Sequence, residues 1–366
     1  MKSRFLVRMD ELIDVAESSS KAVCLNLETA SYLARRGDHI ESRSIVHRVR
    51  SEGQHLKNGT IGAWLNFAEG MQFHSAGNAS EAKLKWQRCL AIARSANANE
   101  VVARVSAWLA FVDYTNLSIS SLISNTREAL SVLADDNFEA IARTNLTAAQ
   151  VFHLCGDYES ARLFYEKSRT ACLEYCDDVM LAALIHNMAW LRVSARRNQT
   201  LQGLETKDEG FLVEAAAEST SSYEKLIDSK GLDVMTPLLG AQVDIMFGRY
   251  AVAIDKIGAK LKDLRSQGLA RLSGVLIADC AYCRAQIGDI EGAKNDAIVA
   301  LGSISQIDHV DDLAVLFTRV STVFKLTGDL EKSTECIERA KELWSEFMLL
   351  RKSILVQVGG HPGFVA

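Results

Sequence analysis

Two cysteine pairs have the spacing that redox or metal chemistry requires. Cys280 and Cys283 form a Cys-x-x-Cys motif, which is the spacing of a dithiol or of half a zinc site. No second pair and no cluster of cysteine and histidine follows nearby to complete four ligands. Cys172 and Cys176 are four residues apart, which places them on one face of a helix. We interpret both pairs as buried thiols and predict neither a metal site nor a cofactor.

The sequence lacks the motifs by which common enzymes are recognised. It contains no glycine-rich phosphate loop, no Gly-x-Ser-x-Gly elbow, no His-Glu-x-x-His pair and no kinase signature. The histidines His74, His153 and His186 fall at related points of predicted helices and are the candidates for a general base. Their spacing gives no sign of a nucleophile or second acid beside them. We therefore predict a protein that is not an enzyme.

The composition is that of a globular protein. Of 366 residues, 48% are hydrophobic, 24% are charged and only two are proline, which favours long helices around a buried core. The net charge of −5 provides no basic field for nucleic acid or anionic lipid. No signal sequence and no apolar segment of about 20 residues is evident. We predict a cytoplasmic protein that contacts neither nucleic acid nor membrane directly.

A glycine, in most cases followed by aspartate or asparagine, recurs along the chain. It stands at positions Gly37, Gly77, Gly156, Gly248, Gly288 and Gly328. Three of the spacings are 40 residues, and the gaps of 79 and 92 residues each span two repeats. These gaps predict further turns near Leu117 and Arg196, with an insertion near residues 197–208. The chain therefore contains about eight units, each with a glycine-type turn suited to ending a helix.

Small and apolar residues flank the turns at helical spacing. In unit two, Gly70 and Phe73 precede the turn at Gly77, and Ala82 and Trp86 follow it. Unit four repeats this order with Ala149, Phe152, Gly156, Ala161 and Tyr165. The pattern resembles the tetratricopeptide repeat (TPR), although the period is nearer 40 than 34 and the closing proline is missing. A HEAT-type repeat shares the 40-residue length, but paired small residues about twelve apart, with Gly-Asp between them, favour the TPR resemblance.

The resemblance implies an all-α fold. We expect a right-handed α-solenoid of about eight TPR-like helix-turn-helix repeats over residues 23–347. Residues 1–22 are predicted to form an N-terminal capping helix. Residues 348–366 are predicted to extend the last helix and to end in a disordered tail, because Gly359-Gly360 and Pro362 break the helical pattern. The polar residues 197–208 are predicted to form a surface loop.

The resemblance also implies a concave groove lined by the first helix of each repeat. The family's Lys and Asn carboxylate clamp is not reproduced, since Phe67, Met71, Leu146 and Gln150 stand at the corresponding positions. Arg104 and Arg143 could still pair with a carboxylate or phosphate, although an exposed, solvated arginine is the favoured interpretation of each. Aromatic anchors with a few polar groups are typical of a binding surface, and packing between neighbouring helices is the alternative. The predicted groove residues are Trp64, Phe67, Met71, His74, Arg104, Phe111, Tyr114, Arg143, Gln150, His153, His186 and Trp190.

These features predict a non-enzymatic binding module whose groove takes a peptide, a partner-protein segment or a small effector. Arrays of this kind resemble the sensor regions of bacterial signalling proteins, which implies a regulatory role with output through a partner. One alternative is a scaffold that holds two proteins together constitutively. Another is a fragment of a larger regulator whose output domain is missing.

Overall fold

The computed structural model describes residues 3–204, 210–266 and 268–365, and within them the chain forms seventeen α-helices and no strand. The all-α prediction is therefore confirmed. The helices are α1 Arg4–Asp14, α2 Ser19–Arg36, α3 His39–Ser51, α4 Gly59–Ser75, α5 Ala79–Ser95, α6 Asn99–Thr115, α7 Ile119–Ser131, α8 Phe138–Cys155, α9 Tyr158–Tyr175, α10 Asp178–Leu201, α11 Gly210–Ile227, α12 Met235–Met246, α13 Tyr250–Ser266, α14 Ser273–Gln286, α15 Ile290–Leu301, α16 Val310–Leu326 and α17 Leu330–Val358.

From α2 onward the helices follow one another as hairpins, α2 with α3 through α16 with α17. The six predicted glycine turns all lie between paired helices, with φ angles from 73° to 95°. Glycine adopts these left-handed angles without a steric cost, which explains why it ends the first helix. The turn predicted without glycine is also present, because Leu117 lies between α6 and α7 with φ of 52°.

The polar residue after the turn caps the second helix in several hairpins. The side chains of Asn78, Asp157 and Asp289 each accept a hydrogen bond from a backbone N–H in the first turn of the helix that follows. Such a bond satisfies one of the donors that a helix start leaves unpaired. Asp38 makes no such bond, so the cap is not required at every turn.

The turn predicted near Arg196 is wrong. Helix α10 continues to Leu201, so the first part of the predicted surface loop is helical. The extra helical turn is stabilised because Arg197 and Asn198 are buried, and Arg197 lies 3.9 Å from the carboxylate of Asp312. Residues 205–208 of the predicted insertion lie outside the described residues.

The prediction of a disordered tail is also wrong. Helix α17 runs to Val358, as expected for an extension of the last helix. Beyond it Phe364 is only 5% exposed, and its ring centroid lies 6.3 Å from that of Phe152 on α8. An aromatic ring that packs into an apolar site holds the residues around it in place. The Gly-Gly and Pro signal therefore ends the helix without releasing the chain.

The chain divides into two compact units. Unit 1 comprises Met1–Ile185, Tyr223–Leu232 and Ile354–Ala366, and unit 2 comprises His186–Ser222 and Asp233–Ser353. Each unit has its own buried hydrophobic residues. The division of the chain into a cap, a repeat array and a tail stays a prediction.

Helix α1 belongs to the core of unit 1. Phe5 and Met9 are buried, and the ring of Phe5 stacks on Tyr32 at 4.2 Å between centroids. The hydroxyl of Tyr32 donates to Asp178 at the start of α10, and Ser3 also bonds that carboxylate. These contacts join α1 and α2 to a segment more than 140 residues away, so unit 1 is closed by interactions between distant repeats.

Small residues occupy the places where the two helices of a hairpin cross. Ala82, Ala161, Ala253 and Ala293 are all buried, as the repeat register predicts. Gly70 on α4 is the tightest of these places, because a Cβ there would lie 2.4 Å from Nε1 of Trp86. That indole N–H donates to the carbonyl oxygen of Phe67 at 3.2 Å. Only glycine at position 70 lets Trp86 of α5 pack against α4 in this way.

We predict that Gly70→Ala lowers the free energy of unfolding by about 1–3 kcal/mol, because the added methyl group overpacks the crossing. Gly258→Ala on α13 is the matched control, since a Cβ there meets nothing within 4 Å. That control should gain about 0.5–1 kcal/mol from the helix propensity of alanine. Urea unfolding followed by circular dichroism measures both. A Gly70→Ala protein as stable as the parent would contradict the described crossing.

Candidate functional site

Ten of the twelve predicted groove residues lie on three neighbouring helices of unit 1. Helix α4 carries four of them, and α6 and α8 carry three each. Helix α6 packs against both α4 and α8, so the structure brings these ten residues to one side of consecutive hairpins. His186 and Trp190 belong to unit 2 and are described separately.

Burial divides the predicted residues into two groups, and none of them is fully exposed. The buried group is Trp64, Phe67, Met71, Arg104, Arg143, Gln150 and His186. The partly buried group is His74, Phe111, Tyr114, His153 and Trp190. A partner cannot touch the first group in this structure, which corrects the expectation that all twelve line an open groove. Large side chains at these positions fill the space between first helices.

Arg104 on α6 is the centre of a buried ion-pair network. Its Nη1 donates to Oε2 of Glu139 at 2.9 Å and to the carboxylate of Glu28. Its Nη2 donates to Glu100 at 3.0 Å, and its Nε donates to Oδ1 of Asn137 at 3.1 Å. One guanidinium group therefore connects α6 to α2 and to the start of α8. We call Glu28, Glu100, Arg104 and Glu139 the Arg104 network.

The balance between burial and neighbouring charges determines the pKa of each group in the Arg104 network. Burial opposes the charge on Arg104, but the carboxylates of Glu28 and Glu139 outweigh it and raise the pKa of Arg104. Burial likewise opposes the charge on Glu139, but Arg104 and Arg35 together lower the pKa of that carboxyl. Burial prevails at Glu28, whose pKa is raised above its usual range. The pair of Arg104 and Glu139 is thus the firmly charged part of the network.

A second buried ion pair joins the end of α2 to the start of α10. The Nη1 and Nη2 atoms of Arg35 donate to the two oxygens of Asp177 at 3.2 and 2.8 Å. This two-bond geometry is the strongest that a guanidinium and a carboxylate form. Arg35 also lies 4.0 Å from Glu139, so the second pair adjoins the Arg104 network.

Arg143 on α8 is a buried guanidinium of a different kind. It is 4% exposed, and no carboxylate within the described part of the chain forms an ion pair with it. Its Cζ lies 3.8 Å from the ring centroid of Trp108 and 4.7 Å from that of Phe111, and its Nη2 contacts the sulfur of Met180 at 3.0 Å. Burial, together with the nearby charge of Arg35, holds the pKa of Arg143 down at about 9. The direct contacts of this cation are ring faces, while Glu139 and Asp177, beyond ion-pair distance, offset part of the effect of burial on its pKa.

Four partly buried side chains lie near the C-terminal ends of α4, α6 and α8. They are His74, Phe111, Tyr114 and His153, and we call them the inner rim. The ring of His74 lies 5.5 to 5.8 Å from Trp86, Trp108 and Phe111, between centroids. Burial lowers the pKa of His74 to about 4, so its imidazole is neutral at pH 7. The inner rim therefore presents the neutral imidazole of His74 beside the ring of Phe111, which contacts the buried Arg143.

His186 and Trp190 form a core contact in unit 2. The two rings stack at 6.0 Å, and neither nitrogen of His186 has a hydrogen-bond partner among the described residues. Burial alone lowers the pKa of His186 to about 4. His186 is a neutral histidine packed in the core, which corrects its assignment to the groove.

All four cysteines of the two pairs are free thiols, but the interpretation of Cys172 and Cys176 as a buried pair on one helix face is wrong, because Cys176 is only partly buried and ends α9 in a left-handed conformation. Cys280 and Cys283 lie buried on α14, and burial raises the pKa of both, to about 12 for Cys283. Burial also raises the pKa of Cys172 to about 12. Among the residues that the structure describes, no group of His, Cys, Asp or Glu could hold a metal ion. No helix within these ranges is long and apolar enough to cross a membrane.

The sequence analysis missed the acidic partners of the buried arginines. Glu28 lies in α2 among buried residues such as Leu27 and Ala30, and Glu139 begins α8 beside the buried Ala140. A single carboxylate on an otherwise apolar helix face is a signal for a buried ion pair. That signal was present, but nothing local indicated which arginine each carboxylate contacts.

No family model and no curated protein matches the chain. Among solved structures, the chain is similar to the crystal structure of the TPR domain of P58(IPK), with 12% sequence identity. The likeness covers 92% of this chain and 99% of that chain, with a TM-score of 0.25. Agreement at that level carries no argument about function. The assignment of TPR-like helical hairpins rests on the chain's own turns and helix pairs.

We predict that the free energy of unfolding falls by about 2 kcal/mol more between pH 7 and pH 5 in the parent than in His186→Phe. The unfolded imidazole takes up a proton below its ordinary pKa of 6.5, whereas the buried one does so only near pH 4. Its stabilising contribution is therefore present above pH 6.5 and is lost as the pH falls. Urea titrations at both pH values measure this difference, with the exposed His47→Gln as the control. An equal pH dependence in parent and His186→Phe would show that His186 is already solvated.

Proposed function

We propose that this chain is a non-enzymatic binding module that uses the inner rim of unit 1 to recognise a peptide, a partner-protein segment or a small effector. The observation that carries this proposal is the position of His74, Phe111, Tyr114 and His153 at neighbouring helix ends above a buried, unpaired Arg143. Partly exposed aromatic rings provide large contact area at a small entropic cost. They are the part of the predicted groove that a partner can reach.

We further propose a regulatory rather than a purely structural role for this binding. Phe111 contacts both His74 on α4 and Arg143 on α8, so a ligand at the inner rim acts on three helices at once. The same three helices adjoin the Arg104 network, whose ion pairs depend on the spacing of α6 and α8. A shift of α6 or α8 on binding would therefore alter the ion pairs of the Arg104 network and so affect α2. A protein partner in the cytoplasm would recognise the changed conformation.

A constitutive scaffold is the competing function, and the outer helices offer a surface for it. A cleft of about 490 Å³ lies between α8 and α9, lined by Phe138, Ile141, Leu163, Lys167 and other residues. Leu84 on α5 and Leu163 on α9 are exposed apolar side chains on these second helices. Binding through this face would leave the inner rim uninvolved. The two surfaces can be separated by mutation.

We predict that the double variant Phe111→Ala/Tyr114→Ala loses a specific partner that the parent captures. The tagged full chain, this variant and the outer-face control Leu84→Ala/Leu163→Ala are each used for affinity capture from the native cell, with quantitative mass spectrometry. A partner of the inner rim should fall at least tenfold in the first variant and remain unchanged in the control, with circular dichroism spectra alike for all three. Retention by the rim variant with loss by the control would instead assign binding to the outer face.

A further inference from the structure

The carboxylates of unit 1 are distributed unevenly among three arginines whose side chains are buried. Arg104 contacts Glu28, Glu100 and Glu139, and Arg35 contacts both oxygens of Asp177. Arg143, equally buried, has none of them within ion-pair distance. A guanidinium offers five N–H donors, and the protein gives those of Arg143 only ring faces and one thioether. Within the described residues, Arg143 forms no ion pair with a carboxylate, and Glu139 and Asp177 act on it only from a longer distance.

Unsatisfied polar atoms accompany Arg143 on the same helices. Nε of Arg143, Oγ1 of Thr144 and Oε1 of Gln150 on α8, and Oγ of Ser106 on α6, are buried without a partner in the described structure. Arg143 and Gln150 are seven residues apart, so two helical turns place them on one face of α8. Leaving such a buried group without a hydrogen-bond partner is destabilising. Folded proteins seldom keep several such groups together unless something else bonds them.

We propose that Arg143 binds the carboxylate of a small aromatic acid inside unit 1, an inference that rests on the proposed function and names the ligand of the inner rim. A planar carboxylate accepts two parallel hydrogen bonds from a guanidinium, and Arg143 has the donors to form them. The rings of Trp108 and Phe111 contact the guanidinium, and the ring of His74 lies next to both of them. These rings are suited to pack against an aromatic group in the ligand.

The position of Phe111 makes the ligand small. Phe111 is the partly exposed one of the two rings that contact Arg143, whereas Trp108 is buried. In this inference the ligand enters by displacing the ring of Phe111, a path that suits a flat molecule. A folded partner segment is too bulky to reach a side chain that is 4% exposed between two helices. Tyr114, one helical turn further along α6, lies partly exposed at the end of this path.

Charge favours a single carboxylate over phosphate. Glu139 and Asp177 lie close enough to raise the pKa of Arg143, although burial and Arg35 lower it further. A dianion would add two negative charges beside these carboxylates in a poorly solvated interior, and one guanidinium cannot compensate both. A monocarboxylate adds one negative charge and pairs it with the buried guanidinium of Arg143. The ligand chemistry is therefore an aromatic monocarboxylate.

The test uses calorimetry of the full chain with three probes: phenylacetate, 4-hydroxyphenylacetate and indole-3-acetate. At least one should bind the parent with a dissociation constant below about 1 mM, and its neutral amide should bind at least tenfold more weakly. Arg143→Met should weaken that binding at least tenfold. Arg162→Met, which removes an exposed arginine from α9, is the matched control and should bind as the parent does. Failure of all three acids to bind the parent overturns the proposal, as does equal binding by Arg143→Met.

Two further arms keep the outcome unambiguous. Arg143→Lys retains the charge but loses the paired donors, so it should fold as the parent does and bind with intermediate affinity. Inorganic phosphate, or a peptide ending in phenylalanine, that binds through Arg143 where the free acids do not would show that the ligand class is wrong. If the acids fail while Phe111→Ala/Tyr114→Ala still loses its partner, this inference fails and the proposed function stands. If the acids fail to bind the parent and Phe111→Ala/Tyr114→Ala also keeps the partner, both this inference and the proposed function are rejected.

Discussion

The ion pair between Arg104 and its carboxylates holds together helices that the repeat alone does not connect. In a helical repeat, each unit contacts mainly its neighbours, so long-range closure needs a separate cause. Glu28 and Arg104 lie 76 residues apart, and their ion pair connects a side chain of α2 in the first hairpin to one of α6 in the third. Removing either side of such a buried pair leaves an uncompensated charge, which is why the pair constrains everything around it. The positions of α8 and α10 follow through Glu139 and Asp177.

The inner face of unit 1 is filled by packing between neighbouring helices. Helix α4 packs against α2, α5 and α6, so side chains such as Trp64, Phe67 and Met71 are core residues rather than groove anchors. What remains accessible is the inner rim at the helix ends. Arg104 is surrounded by carboxylates, whereas Arg143 is surrounded by aromatic rings. This difference makes Arg143 the charged group that distinguishes the inner rim from a purely apolar surface.

Local chemistry made the repeat readable from the sequence. Glycine is favoured in a left-handed turn, and a small side chain is needed where two helices cross closely. Both requirements therefore place glycine and other small residues at fixed spacing in the sequence. Even the turn at Leu117, which has no glycine, followed from the period. The extension of α10 past Arg196 left no such pattern, because it depends on the burial of Arg197 and Asn198 by distant residues. The burial of Arg104 and Arg143 could not be predicted for the same reason. The sequence of a helix shows which residues share a face, but the segments that cover that face are distant in the sequence.

The most direct test of this account is the free energy of urea unfolding at pH 7 for Arg104→Met beside Arg143→Met. Arg104→Met should lose about 3–5 kcal/mol, because the buried carboxylates of Glu28 and Glu139 lose their nearest counter-charge and Glu139 keeps only Arg35, 4.0 Å away. Arg143→Met should stay within about 1 kcal/mol of the parent, because a long apolar side chain keeps most of the packing and no carboxylate is left unpaired. Similar losses in the two variants, or an Arg104→Met protein as stable as the parent, would contradict the central role of the Arg104 network.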